Sequence, residues 1–138
     1  MELHIRKSKI SDYPVLRDFD EFAGDRRMDM ERGELLIADL GSNSCVGYAK
    51  LTCNEFFNKP LISIVNTHPD YRGKGVATEL IKSAIDQATW HKVYTTTEVS
   101  NTKMQSLLRH LGFEQVAEIK DFNFDGEAEF VFCHTTDC

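Results

Sequence analysis

The sequence lacks a long hydrophobic run. None of its apolar stretches approaches the roughly 18 residues that a membrane-spanning helix requires. It also lacks a signal peptide, because the opening residues, MELHIRKSKI, alternate in polarity and carry several charges. We therefore expect a protein that does not enter a membrane and that resides in the cytoplasm.

Cysteine is scarce, and its spacing is not that of a metal site. The four cysteines are Cys45, Cys53, Cys133 and Cys138. No two of them form a C-x-x-C pair, and none stands at zinc-ligand spacing from a histidine. We expect reduced thiols, with Cys45 and Cys53 in a strand, and no bound metal.

Positive charge is also in short supply. The 16 lysine and arginine residues are outnumbered by 22 aspartate and glutamate residues, which gives a formal net charge of -6. General nucleic-acid binding usually needs a basic surface, so this balance argues against it. The balance is compatible with a cationic partner and leaves room for one local basic site.

The chain contains no internal repeat, low-complexity tract or Pro/Gly-rich linker. Its 138 residues, of which 41% are hydrophobic, are enough to build one hydrophobic core. We therefore expect a single domain that covers residues 1–138.

Hydrophobic periodicity and capping residues predict the element order β-α-(α)-β-β-β-α-β-α-β-β. The bracketed helix stands for the charged residues 18–34, whose pattern fits a helix or an irregular excursion. Ser11 is the predicted N-cap of the first helix, with Val15, Leu16 and Phe19 on its buried face. This order predicts an α/β or α+β protein in which helices cover a mixed sheet. The predicted strands are 2–10, 34–40, 45–53, 61–67 and 92–99, the later helices are 75–88 and 101–112, and two closing strands flank an Asp125-Gly126 turn.

Residues 68–77, HPDYRGKGVA, join an apolar strand to a helix through a glycine-rich loop. The first N–H groups of a helix have no partner within it and carry partial positive charge, so they attract anions. Gly73 and Gly75 let the backbone approach a phosphate, Arg72 can grip its oxygens in two-pronged fashion, and Lys74 adds a point charge. The loop is therefore the predicted phosphate site.

Two common phosphate motifs do not fit this loop. A P-loop requires G-x-x-x-x-G-K-[ST], but Lys74 is followed by Gly75. A Rossmann fingerprint requires G-x-G-x-x-G at an early strand-helix turn, and this loop lies in the middle of the chain. A site for RNA phosphates is disfavoured by the net charge of -6 and by the absence of a basic face interleaved with aromatic residues.

The loop resembles a known family. Residues 72–77, RGKGVA, match the R-x-x-G-x-A signature of the GNAT superfamily of acyl-CoA-dependent N-acetyltransferases. Downstream, Asn101, Met104 and Leu107, followed by LGF at 111–113, resemble that family's N-x-x-A-x-x-L…G-F block. The resemblance covers residues 61–113 and implies a mixed, mostly antiparallel central sheet of about six or seven strands flanked by about four helices.

The resemblance also implies acetyl-CoA as a co-substrate, without a metal. The loop would bind the pyrophosphate of coenzyme A mainly through backbone N–H groups. The strand before it would offer backbone groups of Val65 and Thr67 to the pantetheine arm, much like an added strand. Asn101 would contact this arm or cap its own helix. The predicted cofactor-binding residues are Val65, Asn66, Thr67, Arg72, Gly73, Lys74, Gly75, Val76, Ala77, Asn101 and Met104.

The implied reaction is direct attack of an amine on the acetyl thioester. An alkyl amine has a pKa of about 10.4, so a carboxylate or a water molecule must remove a proton at neutral pH. A backbone N–H of the strand at residues 65–67 is the expected donor to the oxyanion. The leaving thiolate has an ordinary pKa of about 8.5 and can depart without a dedicated acid.

The sequence departs from the family at two catalytic positions. The tyrosine that many members use as the acid is replaced by Leu108, and a carboxylate often found at the start of the pre-loop strand is replaced by Leu61. The remaining candidates are Glu98 as base, Tyr94 as acid and Glu55 as a weaker candidate base. Their alternatives stay open: a solvated charge at a strand end for Glu98, a charge in a turn for Glu55, and a packed aromatic for Tyr94.

The resulting hypothesis is an N-acetyltransferase that acts on a primary amine of a small molecule or peptide, as a monomer or homodimer. The alternative, favoured by Leu108 and Leu61, is a catalytically weak or inactive acetyl-CoA-binding regulatory module. Acceptor recognition is expected from residues 18–34, 54–60 and 121–129. The last segment, DFNFDGEAE, is either an acidic, aromatic rim for a polyamine or another cationic amine, or a polar turn with two core aromatics.

Overall fold

The computed structural model describes residues 2–22, 24–42 and 44–136. Within these residues the chain forms seven β-strands and four α-helices in the predicted order. The strands are β1 (His4–Lys7), β2 (Leu35–Asp39), β3 (Cys45–Thr52), β4 (Leu61–Thr67), β5 (Lys92–Glu98), β6 (Glu114–Ile119) and β7 (Glu129–Thr135). The helices are α1 (Tyr13–Phe19), α2 (Arg27–Glu31), α3 (Val76–Gln87) and α4 (Thr102–His110), with 3-10 turns at Ile10–Asp12 and Pro69–Tyr71.

The strands form one seven-stranded sheet in the order β1-β2-β3-β4-β5-β7-β6. The pairs β1-β2, β2-β3, β5-β7 and β6-β7 are antiparallel, whereas β4 and β5 run parallel and pair Leu61 with Tyr94 and Ile62 with Thr95. This mixed, mostly antiparallel sheet confirms the predicted fold class.

The chain divides into two compact units. The first consists of Met1–Leu51 and Ser63–Gln87, and the second of Thr52–Ile62 and Ala88–Cys138. β4 therefore contributes its first two residues to the second unit and the rest to the first. The expectation of one domain over residues 1–138 stays a prediction.

The core of the first unit lies where α1 and α2 pack on the sheet. Alternate residues of β2, Leu35 and Ile37, join Leu16 and Phe19 of α1 in this cluster. Every residue of β2 is buried, because α3 also packs against this strand. Removing one such side chain from water contributes about 1.5–3 kcal/mol. The full cluster is Leu16, Phe19, Met30, Leu35, Ile37, Cys45 and Tyr48.

Two predictions for the first helix are wrong. The N-cap is Asp12, not Ser11, because the chain first makes a 3-10 turn whose last residue is Asp12. The Asp12 carboxylate accepts two hydrogen bonds from the Arg6 guanidinium and one from the Lys9 N–H at 2.8 Å. With the helix starting at Tyr13, Leu16 and Phe19 face the core and Val15 is 40% exposed.

α3 packs closely on β3 because Gly47 has no side chain. A Cβ added to Gly47 would lie 2.8 Å from the Val76 side chain, 3.3 Å from that of Leu80 and 3.1 Å from the Asn66 carbonyl oxygen. Real Cβ atoms essentially never lie as close as 2.8 Å to another atom, so any larger residue would push α3 away. This contact fixes the start of α3, where the predicted phosphate loop ends.

The second unit contains β5, β7, β6 and α4. Phe132 of β7 and Leu108 of α4 are almost fully buried. α4 ends at a Schellman motif, because the Phe113 N–H donates to the Leu108 carbonyl at 2.9 Å and the Gly112 N–H to Arg109 at 3.0 Å. Gly112 has the left-handed φ of 93° that this motif requires, which confirms the predicted helix end.

Candidate functional site

The predicted phosphate loop lies in the first unit, between β4 and α3. After β4 the chain makes the Pro69–Tyr71 turn, where His68 Nδ1 accepts a hydrogen bond from the Asp70 N–H at 3.0 Å. Gly73 and Gly75 then adopt left-handed φ values of 74° and 85°. Residues with a side chain adopt this region only with strain, so the backbone path of the loop depends on both glycines.

The loop leaves open space above these glycines. A Cβ atom added to Gly73 or Gly75 meets no heavy atom within 4 Å. Arg72 and Lys74 are exposed beside them. A phosphate oxygen could therefore approach the backbone N–H groups without meeting a side chain. The residues present fit the pyrophosphate of coenzyme A.

α3 begins directly after the loop. Its first hydrogen bond runs from the Glu79 N–H to the Gly75 carbonyl at 3.1 Å, so the N–H groups of residues 76–78 lie at its N-terminal end. The partial positive charge of a helix N-terminus favours an anion there. Val76 is 1% exposed and anchors this end of the helix in the first unit.

Arg72 has partners that the sequence analysis did not predict. Its Nε donates to the Thr67 carbonyl oxygen at 3.3 Å, and its guanidinium is bonded to the carboxylate of Glu21. The Arg72 and Glu21 side chains are 50% and 52% exposed. Lys74 Nζ lies 5.3 Å from the ring centroid of Tyr71. Of the two cations predicted to hold phosphate, Arg72 is therefore paired with an acid and Lys74 lies near an aromatic ring.

β4 ends beside this loop, and its side chains alternate between two faces. Asn66 is 3% exposed, whereas Val65 and Thr67 are only partly buried. The His68 N–H donates to the Val46 carbonyl at 2.8 Å, which holds the end of β4 against β3. The first unit therefore brings residues 65–67 and 72–77 together, as the predicted cofactor site requires.

A buried polar cluster, which no local sequence pattern predicts, adjoins β4 in the first unit. The Asp20 carboxylate accepts hydrogen bonds from the Tyr48 hydroxyl at 2.6 Å, from Asn66 Nδ2 at 3.4 Å and from Arg26 Nε at 3.2 Å. Asp20 ends α1, Tyr48 lies on β3 and Asn66 on β4. A single carboxylate thus ties together three segments that are distant in sequence.

The cluster continues away from β4. Arg26 Nη1 lies 3.4 Å and Lys50 Nζ lies 3.1 Å from the carboxylate of Asp29. These side chains and that of Asp20 are between 8% and 11% exposed. Buried charges are costly unless they are paired, and here two cations balance two carboxylates. We call this cluster the Asp20 network: Asp20, Arg26, Asp29, Tyr48, Lys50 and Asn66.

The protonation states of the network follow from its surroundings. Burial raises the pKa of Tyr48, and the adjacent Asp20 carboxylate raises it further, so the phenol stays protonated and donates its hydrogen bond. Burial lowers the pKa of Arg26, but the Asp20 and Asp29 carboxylates outweigh it and the pKa lies above its ordinary value. A local signal in the sequence is Asn66, an amide side chain near the end of the mostly apolar strand LISIVNT.

In the second unit, Glu98 lies at the exposed end of β5, opposite Glu129 of β7. Desolvation raises the pKa of Glu98, and the nearby carboxylates of Glu127, Glu129 and Asp125 add to the effect. A carboxylate with a raised pKa is a stronger base than an ordinary one. This environment suits the role predicted for Glu98, which stays a prediction.

Tyr94 is half-buried on β5. Its ring lies 5.4 Å from that of Phe56, and burial raises the pKa of its hydroxyl, with a further contribution from Cys133. These contacts are those of a packed aromatic residue, and a raised pKa makes the hydroxyl a weaker acid. Glu55 lies exposed in the connection between β3 and β4.

Asn101 caps α4, one of the two roles predicted for it. Its Oδ1 accepts a hydrogen bond from the Met104 N–H at 3.1 Å. Met104 is partly buried one turn into the helix. Leu108, which stands where many family members have a tyrosine, is 1% exposed and belongs to the core of the second unit.

The aromatic residues of the connection between β6 and β7 are not core residues. Phe122 and Phe124 are both exposed, so the alternative of a turn with two core aromatics is wrong. The Asn123 side chain donates to the Glu127 carbonyl and to the Glu129 carboxylate, both at 3.0 Å. An acidic, aromatic surface therefore faces solvent in the second unit.

Two absences apply to the described ranges 2–22, 24–42 and 44–136. No helix in these ranges has the length and apolar character needed to cross a membrane. Among the same residues, no group of three or more histidine, cysteine, aspartate or glutamate side chains is arranged to hold a metal ion.

Comparison with known proteins shows the family of the chain. A family model described as the Acetyltransferase (GNAT) family matches residues 4–113. A curated relative, the uncharacterized N-acetyltransferase ycf52 of Gracilaria tenuistipitata var. liui, is 29% identical over 68 residues. That match covers 49% of this chain and 37% of the relative, so the chain spans well under half of the relative's length.

Solved structures share the fold. A GNAT-family acetyltransferase from Bacillus cereus ATCC 10987 superposes with a TM-score of 0.86 at 23% identity, over 100% of both chains. A putative streptothricin acetyltransferase from Bacillus anthracis str. Ames, solved with acetyl coenzyme A, has a TM-score of 0.82 at 17% identity and covers 99% of this chain and 100% of its own.

Proposed function

Because the chain belongs to the GNAT acetyltransferase family, we propose that it transfers an acetyl group from acetyl-CoA to a primary amine of a small molecule or peptide. One observation carries the proposal. The family signature falls on a loop whose two glycines are left-handed and open, directly before the N-terminus of α3. This is the geometry that a pyrophosphate needs.

Acetyl-CoA supplies an activated acetyl thioester when bound. The backbone N–H groups of residues 73–77 and the guanidinium of Arg72 would hold its pyrophosphate. The backbone of Val65 and Thr67 on β4 would align its pantetheine arm. An N–H group of the same strand would donate to the oxyanion that forms during transfer.

Direct attack requires the acceptor amine to lose a proton. Glu98 is the base we propose, because the raised pKa of its carboxylate moves it toward that of a useful general base. Tyr94 is a poorer candidate acid, since its hydroxyl pKa is raised and its ring is packed against Phe56. The thiolate leaves without a dedicated acid in this proposal.

The acceptor class is proposed from the exposed surface of the second unit. Phe122 and Phe124 stand in a segment that also carries Asp125 and Glu127. Carboxylates and aromatic faces both attract cations. This supports a polyamine or another acceptor with more than one positive charge, and argues against an anionic one.

The proposal is tested by binding and turnover together. Acetyl-CoA at about 100 times its Kd adds roughly 2.7 kcal/mol of stability, a shift of about 10 °C in Tm. Thiol release is then measured with a panel of polyamines, monoamines and peptides. Stabilisation by acetyl-CoA, but not by ATP, with thiol release from at least one amine is the expected result. No stabilisation would overturn the proposal.

Two charge-reversal variants make the binding test specific. Arg72→Glu removes the cation of the loop, and we expect it to abolish acetyl-CoA binding while leaving the fold intact. Lys82→Glu reverses a charge on the exposed face of α3, where Lys82 lies 3.9 Å from Glu79, and should bind normally. Equal affinity of Arg72→Glu and the unmodified protein in calorimetry would show that the loop is not the site.

A second candidate function is a regulatory module that binds acetyl-CoA without turnover. The buried Leu108 favours it, because the position where many family members have their acid is part of the core. Stabilisation by acetyl-CoA without thiol release from any amine or peptide would favour this module over the enzyme.

A further inference from the structure

Asn66 is a buried polar residue near the end of β4. Its side chain is 3% exposed and donates to Asp20 Oδ1 at 3.4 Å. Its carbonyl oxygen lies so close to Gly47 that a Cβ there would be 3.1 Å away. The side chain of Asn66 is therefore hydrogen-bonded to Asp20 and its backbone packs against β3, so a change in either contact would move the peptide groups on both sides.

Asp20 is the centre of this arrangement. The Tyr48 hydroxyl donates to Asp20 Oδ1 at 2.6 Å, and Arg26 Nε donates to Oδ2 at 3.2 Å. The Asp20 side chain is only 8% exposed. A buried carboxylate with three side-chain donors has little freedom to move. Asp20 therefore holds β4 in a defined position relative to α1 and β3.

A purely stabilising role does not explain why the Asp20 network buries charged side chains. Buried ion pairs contribute little net stability compared with apolar side chains of the same size, and their best-attested role is to specify one geometry. The strand that the Asp20 network positions is β4. It carries Val65 and Thr67, whose backbone groups are proposed to contact the pantetheine arm and the oxyanion. Small displacements of such groups reduce the rate of reaction strongly.

We infer that Asp20 is a positioning residue for acetyl transfer, which acts through Tyr48 and Asn66 to set the β4 peptide groups of Val65 and Thr67. The inference rests on the proposed function. Asp20 itself does not touch the reacting atoms in this scheme. Because the oxyanion forms only in the transition state, the loss of its alignment lowers kcat more than it weakens acetyl-CoA binding.

The network provides a matched control. Asp29 lies at its other end, where it pairs with Arg26 and Lys50. Asp29→Asn and Asp20→Asn remove the same charge from the same buried network, so both variants lose stability. Only Asp20→Asn changes the direct partner of Asn66. Tyr48→Phe is the milder variant, because it removes one hydroxyl and keeps the ring in the core.

The first experiment compares Tm, acetyl-CoA Kd and kcat across these variants. We expect Asp20→Asn and Tyr48→Phe to lower kcat about 10- to 100-fold, with Kd within about threefold of the unmodified protein. Asp29→Asn should show a similar loss of Tm and a much smaller fall in kcat than Asp20→Asn. If kcat falls in proportion to Tm in all three variants, or not at all, the inference is overturned.

A second measurement does not depend on activity. Backbone amide chemical shifts of Val65 and Thr67 report the position of these peptide groups in the unliganded protein. Tyr48→Phe should move both signals, and Asp29→Asn should leave both in place. If the Val65 and Thr67 signals do not move in Tyr48→Phe, the inference is overturned. This test still applies if no amine releases thiol and the proposed function has failed.

Discussion

The guanidinium of Arg72 is bonded to the carboxylate of Glu21 within the first unit. Glu21 follows the end of α1 by two residues, and Arg72 is the first residue of the family signature in the predicted phosphate loop. The cation proposed for the pyrophosphate thus already has an anionic partner, and that partner belongs to the segment where we expect part of the acceptor recognition. Binding of the co-substrate has to displace or share this carboxylate.

We therefore predict that Glu21→Gln binds acetyl-CoA about two- to fivefold more tightly than the unmodified protein. The variant removes a competitor for Arg72 and a negative charge near the incoming pyrophosphate. An exposed ion pair contributes about 0.2–1 kcal/mol, which sets the size of the effect. Calorimetry at low and high salt measures it, and the gain should shrink at high salt because exposed charges are screened.

The control for this variant is Glu31→Gln, which removes the same charge at the exposed end of α2. It should leave the affinity for acetyl-CoA unchanged. Weaker binding by Glu21→Gln would mean that Glu21 orients Arg72 for the pyrophosphate and does not compete with it.

The second prediction concerns the glycine at the start of α3. Gly75→Ala places a side chain on a residue with φ of 85°, although nothing lies within 4 Å of the added Cβ. The penalty is therefore backbone strain, about 1 kcal/mol of stability. We expect this loss in denaturant unfolding, together with weaker acetyl-CoA binding, because the strain is relieved by changing the path of the loop.

Gly33→Ala is a matched control for this strain. Gly33 has φ of 71° and is equally open, but it lies between α2 and β2. The two variants should lose similar stability, and only Gly75→Ala should bind acetyl-CoA less tightly. Equal affinity for acetyl-CoA in both would remove Gly75 from the proposed site.

The elements around the loop could be predicted from the sequence because their signals are local. The predicted bounds of β4 match the observed ones, because its mostly apolar residues lie between the turn NEFFNKP and the loop HPDYRGKGVA. α4 was predicted from Asn101 and Gly112, and both residues make the capping contacts expected of them. The family signature likewise lies on consecutive residues.

The remaining features depend on contacts that are distant in sequence. Asp20 is 28 residues from Tyr48 and 46 from Asn66, so no local pattern indicates that they meet. The start of α1 was missed for a similar reason: Arg6 on β1 binds the Asp12 carboxylate and shifts the helix start by one residue. Buried polar pairing is invisible to hydrophobic periodicity, which detects only apolar faces.

The third prediction tests the proposed base. Desolvation and neighbouring carboxylates raise the pKa of Glu98, and a base must be deprotonated to act. Turnover should therefore rise with pH through a value above the ordinary glutamate pKa of about 4.3. Glu98→Gln should lower kcat at neutral pH by about 100-fold or more and remove this rise. Its acetyl-CoA Kd should not change.

Glu118→Gln is the control for Glu98, because Glu118 is an exposed glutamate on β6 of the same unit. It should keep both the rate and the pH profile. If Glu98→Gln retains normal kcat across the pH range, water or another group removes the proton, and Glu98 is a solvated charge at the end of β5.

The last prediction concerns acid stability. Arg6 binds the carboxylate of Asp12 through two hydrogen bonds of 2.7 and 2.8 Å and that of Asp39 through one of 2.9 Å. Burial raises the pKa of both carboxyls, but the hydrogen bonds to them outweigh it, and both pKa values lie below the ordinary value. Their stabilising effect is therefore present above pH 4 and is lost as the pH falls through the lowered values.

Arg6→Gln should destabilise the protein by about 2 kcal/mol at pH 7. The loss is smaller than the roughly 3–5 kcal/mol of a fully buried pair, because the Arg6 side chain is 25% exposed whereas that of Asp12 is 2% exposed. Below about pH 4 the two curves of unfolding free energy against pH should converge, since Asp12 can then be protonated and no longer needs the cation. A difference that stays constant down to pH 3 would mean that Arg6 stabilises the fold through packing and not through its charge.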